Sequence, residues 1–112
     1  MAEALTSKHC VPCEGGVPTL TADEVAALMP QVAGWAVEAD KKLIRTYTFP
    51  DFVQALAFVN RAGAVAEEEG HHPDLFLTWG KVGVEVWTHA IGGLSENDFI
   101  LAAKLDGALT AS

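Results

Sequence analysis

Apolar residues recur at helical spacing in three stretches of the chain and at strand spacing in four. In "TADEVAALMP", Thr21 stands as an N-cap with Glu24 three residues on, and Val25, Leu28 and Met29 share one stripe, which predicts a short helix closed at Pro30. "GWAVEAD" and "KLIRTYTF" follow, two runs rich in aromatic and β-branched residues around a turn, and they predict an antiparallel hairpin. The longest helical pattern is "PDFVQALAFVNRAGAVAEEEG". Phe52, Leu56, Val59 and Gly63 fall on one face, Val53 and Ala57 widen it, and Asp51 and Gln54 stand at capping spacing. A helix from Asp51 to Glu69 would be about 28 Å long at 1.5 Å per residue, with Gly70 placed to end it in a left-handed cap.

"LFLTW" and "KVGVEVWTH" read as two further strands joined tightly at Gly80 and Lys81. The second alternates, with Val82, Val84 and Val86 on one face and Glu85, Trp87 and His89 on the other. After the loop "AIGGL", the run "SENDFILAAKLDGAL" predicts a last helix, with Ser95 as N-cap and Asp98 as its capping-box partner. The order helix, two strands, long helix, two strands, helix implies an α+β fold of two layers, a four-stranded antiparallel sheet with three helices packed on one face.

Composition narrows the function classes. A chain of 112 residues is one domain by size, and we expect residues 21–112 to form it behind a leader segment at 1–20. The formal charge of -8, with no cluster of Lys or Arg, argues against nucleic acid and against anionic membrane surfaces as partners. No basic start with an apolar run and no membrane-span pattern is present, so a cytoplasmic location is the default. Cys10 and Cys13, in "HCVPC", have the spacing of a redox pair or half a zinc site, but His9 brings the ligands only to three and the motif runs into coil.

The candidate chemistry centres on histidine. "EEEGHHPDLF" places His71 and His72 at the negative end of the long helix's dipole, behind Glu67, Glu68 and Glu69, a setting suited to proton donation. Pro73 biases His72 toward an extended backbone. The tight turn between the last two strands returns the end of the second beside the start of the first, which would bring His89 to the pair. Three converging histidines fit a metal site or acid-base catalysis. Adjacent rings seldom aim at one ion, whereas acid-base work asks only that each reach a different proton. Trp79 and Trp87 are broad enough to wall a flat heteroaromatic ligand, or serve as packing.

Glu67, three residues, "HHP", five residues to Trp79, nine more to His89 and eight more to Asp98 together reproduce a family signature. Over nearly its whole length the sequence resembles the pterin-4a-carbinolamine dehydratases. "THAIGGLSENDF" and the "CVPCEGGVP" leader look like bacterial members. The resemblance implies a lyase that dehydrates a 4a-hydroxytetrahydropterin to the quinonoid dihydropterin, without metal or organic cofactor, in support of an aromatic amino acid hydroxylase. It implies His71, His72 and His89 as catalytic residues, and Glu67, Pro73, Thr88 and Trp79 as substrate-binding positions. Asp98 matches the signature too, although its capping-box place is a sufficient structural reason for it. Members form homodimers or homotetramers, and some animal members are dimerisation cofactors of a transcription factor. A protein-interaction module and a histidine-ligated metalloenzyme are therefore the alternatives.

Overall fold

The computed structural model describes Leu5, residues 19–39 and residues 41–109. Its elements are α1 (Ala22–Leu28), a 3-10 turn at Met29–Val32, β1 (Ala36–Glu38), β2 (Lys42–Thr48), α2 (Phe52–Glu69), β3 (Asp74–Thr78), β4 (Lys81–Val86), a second 3-10 turn at His89–Ile91, and α3 (Glu96–Gly107). The four strands form one antiparallel sheet in the order β1-β2-β4-β3. This is the expected α+β architecture. Cys10 and Cys13 lie outside the described residues, as does most of the leader. Leu5 is buried in the core, and its backbone N–H donates to Gln31.

The element ends follow the local chemistry of the sequence. Thr21 and Glu24 close a reciprocal capping box on α1. Asp51 caps α2 by accepting from the Gln54 N–H, and Gly70, at φ 66°, ends the helix in the left-handed region that favours glycine. The alternation of β4 holds: Val82, Val84 and Val86 are buried, and Leu43 and Tyr47 of β2 join them on the same face. β4 ends at Val86, three residues before His89. The chain then leaves the sheet, with Thr88 and Gly93 exchanging backbone hydrogen bonds around the second 3-10 turn.

The buried face of α2 differs from the expected one. Ala55, Phe58, Ala62 and Ala66 face the core, while Phe52, Val53 and Leu56 are exposed. The helix carries two apolar stripes, and the slimmer one goes inward because alanines let it lie close to the sheet. Phe58 is the one large side chain on that stripe, and it packs against Tyr47 and Phe49 at ring separations of 4.6 and 5.5 Å. α3 is different again: Asn97 through Ala103 and Leu105 are all buried, so this helix is enclosed on most sides.

This topology collects four chain ends at one edge of the molecule. The β3–β4 ladder pairs Asp74 with Glu85 at that edge and Thr78 with Lys81 at the other. The C-terminus of α2, the start of β3, the exit of β4 and the N-terminus of α3 therefore converge.

Candidate active site

His71 is aimed by the way α2 ends. With Gly70 in the left-handed conformation, the His71 N–H turns back to the Ala66 carbonyl at 3.2 Å, and the side chain leaves toward α3. There its Nε2 lies 2.6 Å from Asp98 Oδ1. Asp98 is fully buried and its second oxygen is occupied as well: Oδ2 accepts from the Ser95 N–H at 2.8 Å and from the Thr88 hydroxyl at 2.8 Å. The Thr88 hydroxyl also meets Ser95 Oγ at 2.9 Å. One carboxylate thus closes the N-terminus of α3, holds the exit of β4, and grips the first histidine of the pair.

The three histidines have three different surroundings. His71 is mostly buried, its side chain 13% exposed. His72 stands on the surface, its Nε2 2.9 Å from Glu67 Oε2, with both side chains well solvated. His89 is exposed at the start of its 3-10 turn, and its ring lies 4.2 Å from that of Trp87, tilted by 56°. Its backbone is fixed on both sides, by the Thr88–Gly93 bridge and by the Gly92 N–H donating to its carbonyl. Gly93 packs closely on the N-terminal segment: a Cβ there would stand 2.6 Å from the Thr19 methyl, so a larger residue would require Thr19 to move.

Of the residues singled out in the sequence, Glu67 and His72 form one pair, and Thr88 is linked to His71 through Asp98. His89 follows Thr88 directly. Pro73 is half-buried between the histidines and β3. Trp79 lies in the β3–β4 turn, 68% exposed, at the far end of a ladder whose four steps span about 13 Å at ~3.3 Å each. The tryptophan beside a histidine is Trp87. Asp98, which matches the signature and stands at capping-box spacing, does both: it caps α3 and also holds His71 and Thr88.

Among the described residues, no three His, Cys, Asp or Glu side chains are placed to hold a metal ion. The arrangement suits proton transfer. A carboxylate that accepts at both oxygens orients an imidazole, and the imidazole keeps its other nitrogen for exchange.

A family model for pterin 4 alpha carbinolamine dehydratase matches residues 18–108. The chain belongs to the pterin-4a-carbinolamine dehydratase family. A relative from Chlorobium limicola is 54% identical over 106 residues, covering 89% of this chain and 93% of its own. Another from Rickettsia bellii is 50% identical over 104 residues, covering 92% of each chain. Both carry names that assign them to the pterin-4-alpha-carbinolamine dehydratases. Among solved structures, a Brucella melitensis protein described as a transcriptional coactivator/pterin dehydratase superposes with a TM-score of 0.77 at 30% identity, covering 82% of this chain and 99% of its own. A pterin dehydratase-like RuBisCO assembly factor of the alpha-carboxysome shares the fold, with a TM-score of 0.60 at 23% identity, over 70% of this chain and 93% of its own. No helix of the described residues is long and apolar enough to cross a membrane.

Proposed function

We propose that this member of the family is a cytoplasmic hydro-lyase that converts a 4a-hydroxytetrahydropterin to the quinonoid dihydropterin and water, with its histidines as the general acids and bases. The observation that carries this reading is the buried Asp98–His71 pair at the edge where Thr88 and His89 leave the sheet. In the elimination, the C4a–O bond breaks as the N5 lone pair forms the N5=C4a double bond. The departing hydroxyl takes a proton to become water, and the N5–H gives one up. A donor and an acceptor are therefore needed, and the reaction consumes neither.

His71 suits one of these tasks. With Asp98 accepting at Oδ1, Nε2 carries the hydrogen that holds the ring, and Nδ1 remains to exchange a proton. His89, exposed on the other side of Thr88, is assigned the complementary transfer. His72 and Glu67, a solvated pair, are assigned to hold the pterin and relay protons to solvent, with Pro73 and Thr88 shaping the approach. Trp79 has no part in this reading, because of its place in the distant turn.

Activity is measured with 4a-carbinolamine generated in situ by a hydroxylase, following quinonoid dihydropterin formation against the uncatalysed rate. His71→Ala and His89→Ala are each expected to lower kcat by roughly 10² to 10⁴. Dehydration at the wild-type rate in the double variant, with the fold retained by circular dichroism, would remove these residues from the mechanism.

The reading includes self-association. Phe52, Val53 and Leu56 form an exposed apolar stripe on α2, and a homodimer or homotetramer that covers it accounts for bulky residues turned away from the core. A monomer in sedimentation at micromolar concentration would count against this. The same stripe is where a transcription-factor helix would dock if the chain shared the coactivator role named for the Brucella protein.

A further inference from the structure

Trp87 combines two features that the dehydration scheme leaves unused. Its indole Nε1 is the buried side-chain polar atom with no hydrogen-bond partner among the described residues. An indole N–H buried without an acceptor is unfavourable, since it loses water and gains nothing in exchange. What the residue supplies in that place is therefore its ring. That ring has two charged or chargeable neighbours: the His89 imidazole, with centroids 4.2 Å apart, and the Lys42 ammonium, 5.5 Å from the indole centroid. Lys42 is itself held, its Nζ 3.1 Å from Oε1 of Glu85, which pairs with Ile44 two positions along β2. The hydrogen bond and charge of Glu85 raise its pKa above the ordinary lysine value, so it stays a cation over the ring.

We propose that Trp87 is the positioning residue for His89: its indole, covered from β2 by Lys42, which Glu85 of β4 holds, sets the plane and place of an exposed imidazole. His71 gets its orientation from a carboxylate, while the contact described for the His89 ring is this aromatic one. An exposed imidazole otherwise samples several rotamers, and an acid or base that wanders by an ångström loses much of its effectiveness. The inference rests on the dehydratase reading for its kinetic consequence, but the contact itself can be measured without it.

The experiment pairs Trp87→Leu, which deletes the aromatic ring, with Trp87→Phe, which keeps a ring and deletes only the unpaired N–H. In nuclear magnetic resonance, the His89 ring signal, assigned by its loss in His89→Ala, is expected at a position displaced by the indole ring current. It should move to the random-coil position in Trp87→Leu. In the carbinolamine assay, Trp87→Leu is expected to lower kcat by roughly 10- to 100-fold with little change in KM, as for a misplaced catalytic group. Trp87→Phe should keep most of the rate. Trp87→Leu should add nothing further in the His89→Ala background, because both changes then remove the same contribution. Additive losses in the double variant, or a random-coil His89 signal in the wild-type protein, would overturn the proposal. A wild-type protein that does not dehydrate the carbinolamine overturns the functional reading instead, and the ring shift then still decides whether Trp87 holds His89.

Discussion

Helix α3 carries one carboxylate node near each end, and the two are built for different work. At the N-terminus, Asp98 is fully buried and takes the Ser95 N–H, the Thr88 hydroxyl and His71. At the C-terminus, Asp106 is partly exposed and takes the Trp35 indole N–H at 3.0 Å, Arg45 at 2.8 Å and the Tyr47 hydroxyl at 2.5 Å. Both tie the helix to the sheet layer. Only the first includes a side chain that exchanges protons near neutrality. An indole never releases its proton in that range, a guanidinium keeps its charge, and Tyr47 is pushed well above the ordinary tyrosine value, by burial first and by Asp106 second. A carboxylate gathered with such donors is a fastening, whereas the same carboxylate gathered with an imidazole is the frame of a site.

The sharpest way to break this contrast is to remove charge from each node. Asp98→Asn leaves one accepting atom where two are used, so either His71 or the pair Thr88 and Ser95 meets an amide N–H instead of an acceptor. The dehydration rate should fall by roughly 10² to 10⁴, as for loss of a general acid or base. Stability should fall by about 1 to 3 kcal/mol for the stranded buried donor. Asp106→Ala should show the reverse pattern: a stability loss of about 1.5 to 3 kcal/mol, typical of hydrogen bonds to a charged group, with the folded protein keeping its rate. Denaturant titration and the carbinolamine assay on the same samples separate the two. An Asp106 variant that stays folded and loses turnover would erase the distinction.

Thr88→Val is a smaller test of the first node. The change keeps the side-chain shape and removes the hydroxyl that links Asp98 to Ser95. We expect a stability loss of about 1 kcal/mol, and a rate loss well short of that in Asp98→Asn because His71 keeps its acceptor. A rate loss equal to that of Asp98→Asn would mean that Thr88 itself touches the reacting atoms.

The two nodes also differ in how far the sequence reveals them. Asp98 stands three residues after Ser95, a local spacing that announces a helix start, and its contacts with His71 and Thr88 follow only once the strand order brings α2 and β4 to that start. The capping residues Thr21, Asp51 and Gly70 and the valine face of β4 were legible for the same reason: each rests on neighbours in the chain. Asp106 has no such pattern, because its partners lie 59 to 71 residues away. The inward face of α2 was misread because bulk is a poor guide when two apolar stripes compete, and close approach to a sheet rewards Ala55 and Ala62 over Phe52 and Leu56. The sequence already sets Trp79 against the tight turn and Trp87 two residues before His89, and the hairpin register confirms that the two stand at opposite ends of the ladder.

The last and smallest effect concerns pH. Tyr47 is the single tyrosine of the chain, so its titration is readable without interference from another phenol. In the folded protein its pKa lies above the ordinary value of 10.0, by burial, by its hydrogen bond to Asp106 and by that carboxylate's charge, with Arg45 opposing. The folded state therefore binds the phenolic proton more tightly than the unfolded state does. Below about pH 10 both states are protonated at this position, and Tyr47 adds no pH dependence. Above it, the unfolded chain ionises first, so stability falls as the pH rises. Tyr47→Phe keeps the ring against Phe58 and deletes the proton. It should lose about 1 kcal/mol near neutrality for the missing hydrogen bond, and its stability should decline less steeply than the wild type's above pH 10. Denaturant midpoints at stepped alkaline pH, beside the tyrosinate absorbance of the folded protein, measure both quantities. Tyrosinate appearing at the ordinary pH while the protein is still folded would show that Tyr47 is open to solvent and that the node at the C-terminus of α3 is not closed.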